Sequence, residues 1–254
     1  MDKPTTENKS PFFSDLKTIF HLVCYKKKGK NHADRLDQFY GAQADNYDRF
    51  RNKLLKGREQ LWKTIGAPPN SVWADMGGGT GSNLAFLGNE IHDLRKGYVV
   101  DLASSLLKVA QQRIENNHWN NIETVHADAT TWVPAEKSLD VITFSYSLTM
   151  IPDWFAAIDH AYSLLKPGGK IGVVDFYLSR KFPLENNVKH GWATRSFWPL
   201  WFAFDNVFPS TEHVPYLLNK FKKIELIEEK ARVPYFPLFW WKMPYYIFVG
   251  QKTE

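Results

Sequence analysis

A chain of 254 residues is long enough to bury a full core, and its one cysteine, Cys24, excludes internal disulfides and any two-cysteine metal site. Lys and Arg number 32 against 27 acids, a net charge of +5 that suits an anionic membrane surface or nucleic acid. The basic residues are joined to aromatic and aliphatic stretches rather than set in an extended stripe, which argues against nucleic acid, and the histidines show no metal-ligand spacing such as H-x-x-x-H, so no metal is predicted.

Residues 1–33 do not read as a secretion signal, because Asp15, Lys17 and His21 interrupt the apolar run and no small-residue cleavage site follows. With the lone cysteine, this points to a cytoplasmic protein. On a helix, Phe12, Phe13, Leu16, Ile19, Phe20 and Val23 form one apolar face, followed at once by Lys26, Lys27, Lys28 and Lys30. Such a segment either docks on the protein's own core or lies peripherally on anionic lipid, where each lysine adds about 1 kcal/mol of attraction.

Residues 34–254 read as one α/β catalytic domain. A short strand ends in Val72-Trp73-Ala74-Asp75-Met76 and runs into Gly77-Gly78-Gly79-Thr80-Gly81, a glycine turn that opens a helix. Gly77, Gly79 and Gly81 let the backbone approach a ligand closely, and the helix start offers free N–H groups. The dinucleotide fingerprint G-x-G-x-x-G fails, because its last place holds Ser82 or Leu84. Asp75, two residues before the first glycine, is instead placed to accept a hydrogen bond from a ligand's ammonium group.

A second strand, Gly97 to Asp101, ends in an acid about 20 residues after the loop, where a carboxylate accepts ribose hydroxyls in doubly wound folds. Asp101 and the adjoining Leu102 are candidates for that contact. Asn121 to His126 reads as a third strand before Asp128-Ala129, and Leu139 to Ser145 as a buried fourth. A helix from Asp153 to Leu165 and the turn Lys166-Pro167-Gly168-Gly169 lead to a strand from Lys170 to Tyr177. The alternation predicts a doubly wound, mostly parallel sheet with helices on both faces.

Beyond Tyr177 the chain is unusually aromatic, with Trp192, Phe197, Trp198, Trp201, Phe202, Phe204 and Phe208 before the next strand, Lys222 to Glu229. Residues 178–219 are expected to form a substrate cap. A second aromatic cluster, Tyr235 to Phe248, contributes to the last strand. The total of 10 Trp, 11 Tyr and 18 Phe suits a lipid-facing mouth with a wet rim, or a roomy core.

The glycine loop with Asp75, Asp101 and Asp128 in order resembles class I S-adenosylmethionine (SAM) methyltransferases, a Rossmann-like fold with a seven-stranded sheet. The resemblance implies that Asp128 and Ala129 hold the adenine, that Arg51 meets the carboxylate of SAM, and that Ser145 lies against the cofactor. Three further segments, Gln38 to Arg51, Ser145 to Trp154 and Ser210 to Leu217, are similar to the methyltransferase component of betaine-lipid synthases. That likeness implies three N-methylations of diacylglyceryl homoserine, with an aminobutyryl-transferase as a possible partner. Tyr40 and Tyr47 then lie on a segment that folds over SAM in similar enzymes, and Tyr146 beside the reactive methyl.

Methyl transfer from a sulfonium needs a neutral nitrogen in line with the S–CH3 bond. An α-amino group titrates near roughly pH 8, so water or a tyrosine network suffices as proton acceptor. Each methylation removes N–H donors until a fixed cation remains, and aromatic faces suit all stages, at about 0.5 to 2 kcal/mol for a quaternary ammonium. Tyr40, Tyr47 and Tyr146 are the catalytic candidates on this ground. His190, Arg195 and Trp198 in the cap are candidates for the substrate, with Arg195 placed to pair with a homoserine carboxylate. Many small-molecule methyltransferases have a histidine after the fourth strand; Thr149 and Met150 stand there, against a histidine mechanism. The rival readings are methylation of another amphiphile, phosphatidylethanolamine or a quinone precursor, and a non-catalytic SAM-binding protein at a membrane.

Overall fold

The strand Val72–Met76 (β1) is buried at every position, as a strand covered on both faces must be, and its side chains alternate between two cores. Trp73 points into one, with Leu61, Trp62 and Ile65 from the helix Arg58–Ile65 (α1), while Val72, Ala74 and Met76 point into the other. Trp62 stacks on Trp73 at 4.7 Å between centroids, and Trp73 Nε1–H donates to Thr143 Oγ1 at 3.0 Å, so the indoles are packed and satisfied.

The computed structural model describes residues 54–203, 207–232 and 242–253. The amphipathic N-terminal segment and the predicted site residues Tyr40, Tyr47 and Arg51 lie outside them. β1 is followed by Lys96–Asp101 (β2), Ile122–His126 (β3), Leu139–Ser145 (β4), Leu165–Phe176 (β5), Lys222–Arg232 (β6) and Lys242–Gln251 (β7). They form one seven-stranded sheet in the order β3-β2-β1-β4-β5-β7-β6, with β7 antiparallel to both neighbours and the other pairings parallel. This is the doubly wound Rossmann-like architecture expected from the strand and helix alternation. The chain moves outward from β1 to β3 and then returns to β4, so a crevice opens between β1 and β4 at their carboxyl ends.

The helices Ser104–Asn116 (α2), Trp154–Leu164 (α3), Trp192–Ala203 (α4) and His213–Lys220 (α5) complete the described elements, with a short 3₁₀ turn at Leu148–Met150 and a longer 3₁₀ segment at Ser82–Asp93. The helix predicted after the glycine loop is this 3₁₀ segment, and it is broken at Gly88 (φ 55°, ψ −129°). Its second residue, Asn83, is drawn inward between Asp75 and Arg58, which ties the first turn to the strand end. The expected Lys166–Gly169 turn appears as an excursion within β5: Leu139 pairs with Leu165 and Val141 with Lys170, so the residues between bulge out of the ladder.

Residues 178–219 hold α4 and α5. His213, Val214 and Leu217 are buried, so α5 is the crossover helix that brings the chain back to β6. No helix among the described residues is long and apolar enough to cross a membrane.

Candidate active site

A cavity of about 320 Å³ occupies the crevice at the carboxyl ends of the parallel strands, within the size range of small-molecule sites. Gly77 and Gly79 line it after β1, Asp101 and Leu102 at the end of β2, Asp128 and Ala129 after β3, and Tyr146 after β4. Four separate strand ends therefore bring Gly77, Gly79, Asp101, Leu102, Asp128, Ala129 and Tyr146 to one place.

The glycine loop is fixed by its own backbone. Gly77 and Gly78 donate N–H bonds to the Val100 carbonyl at 2.7 and 3.1 Å, which folds the loop over the end of β2. Gly77 has φ +69°, and a Cβ there would lie 2.4 Å from Ser147 Cβ, so two reasons require glycine. Asp101 accepts the Gly79 N–H at Oδ2 and the Ala103 N–H at Oδ1, each at 2.8 Å. Its carboxylate thus sits on the cavity wall with both oxygens oriented by backbone donors. Asp128 Oδ1 accepts from the Thr130 N–H and hydroxyl at 2.8 and 2.7 Å, which orients this exposed carboxylate at the far end of the cavity.

Tyr146 stands just beyond β4 with φ +57°, a left-handed conformation unusual for a bulky residue. The Tyr146 N–H donates to the Val174 carbonyl at 2.7 Å, and the hydroxyl donates to the Lys56 carbonyl at 2.6 Å. Phe176 packs against its ring at 4.5 Å and 61°. Burial, and then the neighbouring Asp175 and Tyr245, push the phenol pKa well above its ordinary value. Tyr146 is therefore a neutral, positioned aromatic whose proton is committed to a backbone carbonyl. That geometry counts against a Tyr146 phenolate as proton acceptor.

Several candidate residues lie elsewhere. Asp75, expected to meet the cofactor's ammonium, is fully buried and does not line the cavity. It accepts from Thr143 Oγ1 at 2.8 Å and from Asn83 Nδ2 at 3.0 Å, beneath the loop. Ser145 is also buried under the site, where its hydroxyl accepts from Trp62 Nε1 at 3.3 Å. Gly81 starts the 3₁₀ segment at φ +65° and does not touch the cavity.

The three substrate candidates in residues 178–219 are likewise displaced from this cavity. His190 is buried, accepts the Ser179 N–H at Nδ1, and donates its own N–H to Ser179 Oγ, so it closes a loop. Burial, then Lys230 and Arg195, lower its pKa to about 4, which keeps it neutral and unsuited to pairing with a carboxylate. Trp198 is buried among Phe197 and Phe202. Arg195 is half-buried on a shallow groove of the cap with Trp192, Lys181 and Thr211.

Residues not singled out from the sequence contribute to the site. Ser147 lines the cavity and its hydroxyl donates to the Met76 carbonyl at 2.8 Å, tying the β4 turn to the glycine loop. Asp175, fully buried at the end of β5, accepts the Thr149 hydroxyl and N–H and so holds the turn Leu148–Met150, whose Met150 lines the cavity. Burial raises its pKa to about 7 despite the bonds it receives from Thr149, Phe176 and Leu148. An acid inside an apolar strand was a visible signal for Asp175; nothing marked Ser147. Among the described residues, no group of three or more His, Cys, Asp or Glu side chains converges as a metal site.

Comparisons with known proteins agree with this fold. Residues 28–196 match the ubiE/COQ5 methyltransferase family. A ubiquinone/menaquinone biosynthesis C-methyltransferase UbiE of Escherichia coli is 28% identical over 163 residues, which span 62% of this chain and 63% of that relative. Among solved structures, phosphoethanolamine N-methyltransferase 2 of Haemonchus contortus, in complex with S-adenosyl-L-methionine, is similar with a TM-score of 0.66 at 15% identity, over 91% of this chain and 62% of that one. The N-methyltransferase NodS of Bradyrhizobium japonicum, in complex with S-adenosyl-L-homocysteine, is similar with a TM-score of 0.62 at 16% identity, over 86% of this chain and 99% of that one.

Proposed function

The chain belongs to the ubiE/COQ5 methyltransferase family, and from that premise we propose that it methylates the amine of a lipid, diacylglyceryl homoserine, three times. S-adenosylmethionine is the cofactor and supplies an electrophilic methyl group. The glycine loop, Asp101 and the Asp128-Ala129 turn are the residues suited to hold it: a close backbone approach for the amino-acid part, a carboxylate for the ribose, and a polar turn for the adenine.

The observation that carries an amine acceptor is the state of Tyr146. Tyr146 lines the cavity, Phe176 packs on its ring and its hydroxyl donates to the Lys56 carbonyl, so it brings an aromatic side chain and no base to the site. Of the other ionisable groups on the described cavity wall, Asp101 and Asp128 are at the cofactor end and Asp153 caps α3 through the Ala156 N–H. An amine that loses its proton to water near pH 8 needs no dedicated base, whereas activating a phenolic ring for carbon attack does. The aromatic cap, whose Phe202 stacks on Phe176 at 5.0 Å behind Tyr146, supports an acceptor with acyl chains.

A second reading is C-methylation of a quinone precursor, favoured by the UbiE relative's name. The deciding experiment incubates purified protein with SAM and diacylglyceryl homoserine in detergent micelles and reads the lipids by mass spectrometry. Mono-, di- and trimethylated products support the proposal. No such product, with methylation of phosphatidylethanolamine or a demethylated quinol instead, moves the acceptor; SAM binding without turnover on any of them favours a binding protein.

A further inference from the structure

The cap has two unlike faces. Inward, Trp198 and Phe202 on α4 are buried, with Phe202 against Phe176 and Phe176 against Tyr146 at the cavity wall. Outward, Phe182, Trp192 and Leu200 are 75%, 78% and 70% exposed, and Leu184, Val188 and Phe208 are also open to solvent. Elsewhere among the described residues, large exposed apolar side chains occur as separated single residues, Val133, Phe155 and Ile224. Isolated exposed apolar residues need no explanation; a cluster on one element does.

The outward face is continuous. The ammonium groups of Lys181 and Lys189 both lie over the Phe182 ring, at 5.5 and 5.6 Å from its centroid. Lys181 shares a groove with Trp192, Arg195, Pro199 and Pro209, which joins the 178–189 loop to the outer side of α4 and to the segment carrying Phe208. Residues 178–203 hold the cations Arg180, Lys181, Lys189 and Arg195 against the single acid Glu185, with Arg180 paired to Glu212 of the neighbouring segment. Aromatic tips ringed by lysines on flexible stems match the boundary of an anionic bilayer, where the rings enter the headgroup layer and the ammonium groups stay wet. The Phe208 N–H donates to the Thr149 carbonyl at 3.0 Å, so the patch is also tied to the turn bordering the cavity.

We propose that the outer face of the cap, centred on Phe182, Trp192 and Leu200 with Lys181 and Lys189, docks on an anionic lipid bilayer. The proposal rests on the lipid-acceptor reading for its purpose: docking brings the Tyr146 side of the cavity to the layer from which an acyl-chain substrate enters. Its test needs no acceptor and no turnover.

The full chain is sedimented with phosphatidylcholine vesicles with and without phosphatidylglycerol, beside two variants, Phe182→Ser/Trp192→Ser/Leu200→Ser and Lys181→Glu/Lys189→Glu. SAM affinity of each variant serves as the folding control. The expected result is binding that requires phosphatidylglycerol and weakens at least about tenfold in both variants at unchanged SAM affinity. Equal sedimentation of either folded variant and the parent, or no preference of the parent for anionic vesicles, overturns the proposal. The micelle assay does not depend on a bilayer, so failure of the acceptor assignment appears there and failure of docking appears only here.

Discussion

Thr149 and Asp175 are joined twice: the Thr149 hydroxyl donates to Asp175 Oδ1 at 2.7 Å and its N–H donates to Oδ2 at 3.1 Å. The pair connects the end of β5 to the turn that borders the cavity, and Phe208 in turn rests on the Thr149 carbonyl. One buried carboxylate therefore positions both the turn and the segment carrying Phe208, at the place after β4 where Thr149 and Met150 stand instead of a histidine.

Asp175→Asn puts an amide NH2 where one of the donors from Thr149 or Phe176 now finds an oxygen, and should cost about 1–3 kcal/mol. It should also remove a pH dependence. Asp175 has its pKa raised from 3.8 to about 7, chiefly by burial, so between these values the folded protein holds a proton that the unfolded chain releases. Its contribution to stability is full below pH 3.8 and is lost as pH rises through about 7. His190 and His213, lowered by burial to about 4 and about 3, titrate in both proteins and cancel in the comparison. Thermal unfolding from pH 4 to 8 should show the advantage of the parent over Asp175→Asn shrinking as pH rises; a constant difference would mean that Asp175 does not titrate in this range.

Asp101→Ala removes the acceptor for the Gly79 and Ala103 N–H groups and the expected ribose partner in one step. Calorimetric titration should give SAM binding weaker by roughly ten- to a hundredfold, with Asp101→Asn intermediate. Unchanged affinity in the alanine variant would take Asp101 out of the cofactor site.

Gly77→Ala carries two penalties, the φ of +69° and a Cβ 2.4 Å from Ser147 Cβ. Denaturant unfolding should show a loss of roughly 1–3 kcal/mol. Ser147→Gly relieves the contact but also removes the bond to the Met76 carbonyl, so the double variant is compared with Ser147→Gly alone; in that background Gly77→Ala should recover part of its loss. Full recovery would assign the whole effect to the contact, and no recovery would assign it to φ alone.

The parallel sheet and the cofactor loop were legible because both rest on local rules. Apolar runs in β1 and β4, glycines at positive φ, and acids at strand ends mark themselves without knowledge of the partners. What the sequence did not disclose depends on side-chain direction. Asp75 and Ser145 are in register with the site but turned beneath it, because Thr143, Asn83 and Trp62 offer buried partners on that side. His190 and Arg195 were nominated by position in the cap, and only the folded loop shows His190 closing on Ser179. Ser147 gave no signal, since its role is a bond to the Met76 carbonyl across the two strand ends.

Tyr146 allows ring and hydroxyl to be separated. Tyr146→Phe deletes the 2.6 Å bond to the Lys56 carbonyl and keeps the aromatic face, while Tyr146→Ala deletes both. If the face stabilises a nitrogen that becomes a fixed cation, Tyr146→Phe should retain most of the turnover at every stage. Tyr146→Ala should lose about two- to thirtyfold, corresponding to roughly 0.5 to 2 kcal/mol, with the greatest loss at the last methylation. The neutral phenol, its pKa pushed well above the usual value by burial, further implies that the pH–rate profile of Tyr146→Phe keeps the form of the parent's up to pH 9. Stepwise product ratios from mass spectrometry test the first expectation. An equal loss in the phenylalanine and alanine variants would shift the role from the ring to the hydroxyl and its hold on Lys56.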